Sequence, residues 1–217
     1  MSSYTRPYVA FETGSELPVV KDEFRKAILA ERENRSLHDR ELAAADFAQV
    51  VGDIPVVRAA GCVAAYASRS SEPDTTALLD RLAQRGARVL LPVLGTGLQR
   101  QWAWLTTTDE LEVRAPGRPP EPPGPALEAE ALAEADVVLV PALAVDTDGG
   151  RLGHGGGWYD RVLEHTRPGV PIIAVVFPSE VYDAVDFPIP REPHDRRVDA
   201  VATTAGWRQL GRVSEQS

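Results

Sequence analysis

Between Arg151 and Arg161 the chain reads Arg-Leu-Gly-His-Gly-Gly-Gly-Trp-Tyr-Asp-Arg, with glycine at four of the five positions 153–157. Glycine fills no core space and loses the most backbone entropy on folding, so such a cluster suits a sharp turn or a close backbone approach to a ligand. The residues that follow, Trp158 to His165, read as a short helix, which places the glycines at a helix start where N–H groups lack partners. Arg151 and Arg161 flank the loop with positive charge, and Asp160 offers a carboxylate for a metal on the same anion. A nucleotide phosphate with magnesium is the simplest ligand for this set. The competing reading is a tight turn that only joins two elements.

Neither common nucleotide motif is present. A P-loop requires Gly-Lys-Ser/Thr after its glycines, and Trp158-Tyr159 stands there; the dinucleotide fingerprint fails because its third glycine falls at Trp158. Glycines and a helix dipole of about half a charge do not balance a triphosphate, so further cations are required. Lys21 and Arg25 lie four residues apart and stack on one face of the helix expected over Val20–Asn34, with Arg32 pointing nearly the same way. The plain alternative for this face is a solvated basic edge paired with Asp22, Glu23 or Glu31.

The rest of the chain alternates strand-like and helix-like runs. A second helix is expected over Leu37–Val51, a buried strand over Ala60–Tyr66, and a helix capped by Asp74 or Thr75 and ending at Gly86. Strands are expected at Arg88–Leu94, on an edge at Gln101–Thr106, and at Asp136–Val140, Val170–Phe177 and Val198–Thr203, with a helix at Ala126–Ala135. Proline dominates Ala115–Pro125, an extended surface connection. This order predicts an α/β fold: a mainly parallel central sheet flanked by helices, in a three-layer sandwich. The domain reading is a flexible N-terminal arm over residues 1–18, one α/β catalytic domain over 19–210 and a tail over 211–217. Ligands in such folds bind beyond the carboxyl ends of the strands, and the glycine loop follows the strand ending at Val140.

Composition narrows the partners. The 217 residues carry a formal charge of −9, against the basic face that a nucleic-acid surface needs. No apolar run has the length of a membrane span and the first residues lack a signal peptide's apolar core, so a cytoplasmic protein is expected. The single cysteine, Cys62, lies in an apolar run and reads as a small buried residue. No His/Cys spacing suits structural zinc.

The chain resembles the 5-formyltetrahydrofolate cyclo-ligase (methenyltetrahydrofolate synthetase) family from Lys21 to about Thr203. The resemblance is carried by Lys21-x-x-x-Arg25, Ser68-x-x-x-Glu72-x-x-Thr75 and Val89-x-x-Pro92. Its strongest part runs Val140-Pro141-x-x-x-x-Asp146-x-x-Gly149-x-Arg151-Leu-Gly-x-Gly-x-Gly-x-Tyr159-Asp-Arg161, and Pro193-His-Asp195-x-x-Val198-Asp199 with Thr203 closes it. The resemblance implies an ATP- and Mg2+-dependent cyclisation of a reduced folate, 5-formyltetrahydrofolate, with ADP and phosphate released. It assigns ATP binding to Lys21, Arg25, Arg151, Leu152, Gly153, His154, Gly155, Gly156, Gly157, Trp158 and Tyr159. Substrate binding falls to Glu72, Trp158 and Tyr159, metal binding to Asp160 and Asp195, and catalysis to Arg151 and Asp160. A monomer is expected.

Five positions depart from the family pattern. Trp158 replaces a tyrosine, Gly156 lacks a lysine found in some members, Ala142 and Val145 replace a frequent Gly and Phe near the expected folate side, and Glu180 stands for a common glutamine. They keep open two rival readings: a catalytically silent paralogue that binds nucleotide or folate, and an ATP-dependent enzyme on the same scaffold with another substrate.

Overall fold

A computed structural model describes residues 7–12, 16–94, 99–193 and 195–211; His194 lies outside the described residues, and so does most of the expected tail. The helices are α1 (Leu17–Glu33), α2 (Leu37–Asp53), α3 (Pro55–Ala59), α4 (Thr76–Gln84) and α5 (Trp158–Val162). The strands are β1 (Cys62–Ala64), β2 (Arg88–Val93), β3 (Gln101–Trp104), β4 (Val137–Pro141), β5 (Ala144–Asp146), β6 (Arg151–Leu152), β7 (Ile172–Val175), β8 (Val181–Tyr182), β9 (Ala200–Thr203) and β10 (Gly206–Gln209).

Apolar residues on both faces of short strands demand cover on both sides, and the main sheet receives it. Its order is β10-β9-β7-β4-β1-β2-β3. The five inner strands are parallel, and β3 and β10 close the edges antiparallel. Alternation decides the layers. Val63, Val89, Leu91, Leu139, Ile173 and Val175 point to one face and pack with Phe47 and Val51 of α2 and Leu78, Leu79 and Leu82 of α4. Their neighbours Ala64, Leu90, Val138, Val140 and Ala174 point to the other and pack with Leu132, Val162 and Leu163. That second layer is thin: the helix expected over Ala126–Ala135 is a 3-10 turn, Ala129–Glu134. Cys62 is buried in it, and burial pushes its thiol up to about 11, consistent with a space-filling role at neutral pH.

A second sheet, β6-β5-β8, was not legible as strands because each is only two or three residues long. It puts a β5–β6 hairpin between β4 and the glycine loop, which therefore follows β6 and not β4. The turn of this hairpin is built on Asp146. Its Oδ1 accepts the N–H groups of Gly150 (2.7 Å) and Asp148 (3.1 Å), and its Oδ2 accepts that of Ile189 (2.9 Å). Gly149 has φ +85°, and a Cβ there meets the Val198 carbonyl oxygen at 2.5 Å, so only glycine fits.

Helix α1 starts earlier than the sequence suggests, at Leu17 with Pro18 in its first turn, where the missing N–H costs nothing. It packs on the second sheet through Phe24 and Ile28, which meet Leu143, Ala144, Leu152, Tyr182 and Ile189. Tyr8 from the N-terminal segment seats its ring against Phe24, Tyr182 and Phe187. None of the described helices is long and apolar enough to cross a membrane.

At its far end α1 is pinned by Arg32, which is 1% exposed and, although on the helix face of Lys21 and Arg25, does not line the cavity described below. Its guanidinium donates to both carboxylate oxygens of Glu180 (2.7 Å each), to Ala142 O (2.7 Å) and to Ser71 O (3.1 Å). Glu180 Oε2 also accepts the Phe177 N–H at 2.8 Å. The glutamate at a position of common glutamine is thus the partner of a buried cation. Removing one member leaves the other charge buried and unpaired. Arg32→Met is expected to cost about 3–5 kcal/mol in urea unfolding, and Arg32→Met/Glu180→Gln to recover much of it. A loss below about 1 kcal/mol for the single variant contradicts this anchoring role.

Candidate functional site

The order of the main sheet reverses between β1 and β4: from β1 the chain builds outward to β2 and β3, and from β4 to β7 and β9. Loops leaving two neighbouring strands in opposite directions open a crevice at their carboxyl ends. A cavity of about 400 Å³ lies there, lined by Tyr66 and Ala67 after β1, Pro92 and Leu94 at the end of β2, and Pro141 at the end of β4. All of the residues expected at the site line it: Lys21, Arg25, Glu72, the loop from Arg151 through Tyr159, Asp160 and Asp195. They come from stretches far apart in sequence. Helix α1 brings two cations, the β1–α4 loop brings Glu72, the β6–α5 connection brings the glycines, and the turn before β9 brings Asp195.

The cations are held by specific partners. Lys21 is buried, and its Nζ lies 2.8 Å from Glu192 Oε2 and 2.5 Å from Asp195 Oδ2. The solvated basic edge is therefore not what this helix face forms. Arg25 donates its Nε–H to Gly153 O at 2.9 Å and lies across the loop, 3.2 Å from where a Cβ on Gly155 stands. Gly155 has φ +94°, so a side chain there meets both a strained backbone and the guanidinium. Arg151 is buried, with Nη2 donating to Asp160 Oδ1 at 2.8 Å and its guanidinium carbon 5.8 Å from the Tyr159 ring centre. Asp160 Oδ1 also accepts the Arg196 N–H at 3.2 Å.

Asp195 shapes its own turn: Oδ2 accepts the Glu192 N–H at 2.7 Å. Among the described residues no three His, Cys, Asp or Glu side chains converge to hold a metal on their own. Two carboxylates facing a cavity suit a magnesium ion, which keeps most of its shell as water and phosphate oxygen. Asp160 and Asp195 fit that demand.

Glu72 lines the same cavity and is 8% exposed. Its Oε2 accepts the Arg69 N–H at 2.8 Å, and Oε1 lies 2.9 Å from His154 Nε2 as a close charge contact rather than an aligned hydrogen bond. Burial drives this carboxyl up, but His154 and the Arg69 N–H outweigh it and hold it below the usual carboxylate range. Tyr159 has a buried hydroxyl with no hydrogen-bond partner among the described residues. Burial raises it well above the usual phenol range, Glu72 adds to the rise, and Arg151 and Arg69 oppose it.

The departures from the family pattern separate here. Trp158 donates its indole N–H to Gln99 O at 2.9 Å and packs edge-on against Trp102 of β3 and against Tyr159, so its ring fixes the loop to the sheet edge. Trp102 is fully buried, as an inward-facing edge-strand residue should be. Gly156 faces open space. Ala142 and Val145 are fully buried and do not themselves line the cavity, although Pro141 and Arg151 beside them do.

Sequence reasoning missed Glu192, Arg69 and the pair Pro119–Pro120, which line the same cavity. The prolines had a signal, an extended Pro-rich segment, but nothing local shows that it crosses the cavity. Glu192 lies three residues before Asp195, and only the turn between them brings it to Lys21.

Residues 18–204 match the 5-formyltetrahydrofolate cyclo-ligase family. A 5-formyltetrahydrofolate cyclo-ligase of Mycolicibacterium smegmatis is 46% identical over 144 residues, covering 65% of this chain and 72% of that protein. One from Escherichia coli (strain K12) is 32% identical over 153 residues, covering 59% of this chain and 84% of the relative. The solved structure of Aquifex aeolicus 5,10-methenyltetrahydrofolate synthetase has a TM-score of 0.72 and 28% identity, covering 90% of this chain and 96% of that one.

The Glu72–His154 contact carries a pH signature. A depressed carboxyl contributes stability that is complete above its ordinary value of about 4.3 and is lost as pH falls through the lower folded value. His154→Gln removes one of the partners that hold the Glu72 carboxyl down against burial, so its acid loss of stability is expected to begin at higher pH. Urea unfolding between about pH 3 and 7 measures this, and identical acid limbs for both proteins contradict it.

Proposed function

The chain belongs to the 5-formyltetrahydrofolate cyclo-ligase family, and from that premise we propose that it converts 5-formyltetrahydrofolate to 5,10-methenyltetrahydrofolate with ATP and magnesium, releasing ADP and phosphate. The observation that carries this reading is one cavity at the β1/β4 reversal that brings the cations and the glycine loop together with the Glu72 carboxylate, whose Oε1 lies 2.9 Å from His154 of that loop. The cations and loop suit phosphates, and the carboxylate suits a heterocycle with N–H donors.

The chemistry explains why one cavity needs both kinds of group. A formamide oxygen is a poor leaving group and N10 a weak nucleophile. Attack of the formyl oxygen on the γ-phosphorus breaks the bond to ADP and makes an imidate-like phosphate ester at N5. N10 then attacks the formyl carbon, N10 loses its proton, and phosphate departs as the five-membered ring closes. Phosphoryl transfer is driven by positioning and charge stabilisation, so no nucleophilic triad is required.

In this reading Lys21 and Arg25 hold phosphate oxygens from α1. Lys21 is poised for this, because Glu192 and Asp195 already keep its ammonium in the cavity and a phosphate offers it a stronger anion. The loop from Leu152 to Tyr159 presents backbone N–H groups around the nucleotide, and Arg151 orders that loop while paired with Asp160. Asp160, with Asp195, would hold magnesium, which when bound neutralises charge on the transferring phosphate. Glu72 accepts the pterin's donor edge, Trp158 and Tyr159 supply aromatic surface, and Pro119 and Pro120 form a stiff wall. We place the reaction in the cytoplasm.

The deciding experiment mixes the protein with 5-formyltetrahydrofolate and magnesium and follows the near-ultraviolet band of the methenyl product with and without ATP. An ATP-dependent rise is expected. No rise from folded protein moves the reading to another substrate, or, where nucleotide or folate binds without turnover, to a silent binding protein. Two variants test the walls. Arg25→Met is expected to raise KM for ATP about tenfold or more, with KM for folate little changed. Asp160→Asn keeps a partner for the buried Arg151, which alanine does not, and is expected to lower kcat about a hundredfold with little loss of stability. Near-normal kcat in that variant removes Asp160 from the metal assignment.

A further inference from the structure

Most cavity cations are already engaged. Lys21 lies against Glu192 and Asp195, Arg151 against Asp160, His154 against Glu72, and the Arg25 Nε–H is taken by a backbone carbonyl. Arg69 differs. It lines the cavity and is half-buried, yet its guanidinium makes no hydrogen bond or ion pair among the described residues. A guanidinium only donates, and a partly desolvated donor fork without an acceptor gains when a ligand supplies one.

The position of Arg69 says which part of a ligand this is. Its backbone exchanges two hydrogen bonds with Glu72: the Arg69 N–H donates to Glu72 Oε2 at 2.8 Å, and the Glu72 N–H donates to Arg69 O at 2.9 Å. The two residues are therefore locked side by side in one tight turn, a carboxylate that only accepts beside a guanidinium that only donates. The charge of Arg69 also reaches the Glu72 carboxyl and the Tyr159 hydroxyl, where the glycine loop meets Glu72.

Resting on the folate reading above, we propose that Arg69 is a specificity residue that donates to the 4-oxo group of the pterin, while Glu72 accepts from its 2-amino and N3–H groups. The edge of a pterin presents donor, donor and acceptor in a row, and Glu72 followed by Arg69 presents the complement. The glutamate carboxylates of the substrate are the anionic acceptors on the ligand, but they lie at its far end, away from the group that Glu72 recognises. The pairing also rejects a 4-amino analogue, which sets a donor against the guanidinium and leaves it unpaired.

The test is calorimetric binding of 5-formyltetrahydrofolate and of 5-formyltetrahydropteroate, which lacks the glutamate, to the intact protein and to Arg69→Met and Arg69→Lys. Arg69→Met is expected to weaken both ligands equally, by about ten- to a hundredfold, with Arg69→Lys between it and the unaltered protein. Thermal stability at neutral pH is expected to fall only slightly, since the guanidinium loses no hydrogen bond or ion pair and only its longer-range charge on Glu72 is removed. Weakening confined to the glutamylated ligand overturns the assignment in favour of a tail contact, and unchanged affinity for both overturns it outright. Failure of the unaltered protein to bind either ligand overturns it as well. Failure of the function reading shows separately, as folate binding without ATP-dependent product.

Discussion

A single buried guanidinium ties the first helix to everything it must face. Arg32 joins α1 to Glu180, to the carbonyl of Ala142 after β4 and to the carbonyl of Ser71 in the loop that carries Glu72. Four segments distant in sequence converge on one planar fork, whose donors match a carboxylate and two carbonyls. Lys21 and Arg25 lie upstream on the same rigid helix, so their distance from the Glu72 wall is set at Arg32. Burying this pair costs desolvation, and its geometry and added hydrogen bonds are what offset that cost.

The same economy of charge runs through the cavity. Lys21 with Glu192 and Asp195, Arg151 with Asp160 and His154 with Glu72 each place a base against an acid. A cavity that takes a polyanion, as proposed, has to hold its cations when the anion is gone, and acidic neighbours do so without neutralising them chemically. They also keep the side chains aimed inward, which limits reorganisation on binding. Arg69 stands outside this scheme, with its guanidinium open toward the Glu72 wall.

Much of the fold was legible because its signals are local. Apolar runs at Val137–Val140 and Ile172–Val175 and the stripe Leu78, Leu79, Leu82 announce buried strands and an amphipathic helix, and these are the parallel core and α4. One expectation failed and three strands went unread, each for a physical reason. Ala126–Ala135 has helical composition but closes as a 3-10 turn, because its packing against the sheet through Leu132 and Ala135 outweighs intrinsic propensity. Strands β5, β6 and β8 are too short to show a period, and exist only because they pair with one another.

The sequence by itself determined the α/β alternation, the glycine loop and many of the residues that meet in the cavity, since periodicity, glycine spacing and motif order are properties of the chain. Tertiary structure alone decided what each charge faces. Lys21 and Asp195 are 174 residues apart and Arg32 and Glu180 are 148 apart; no local pattern links them. It also carried Ala142 and Val145 into the core and brought Pro119 and Pro120 over the cavity. Partner choice among charges depends on burial and on geometry across the sheet, and neither exists until the sheet has formed.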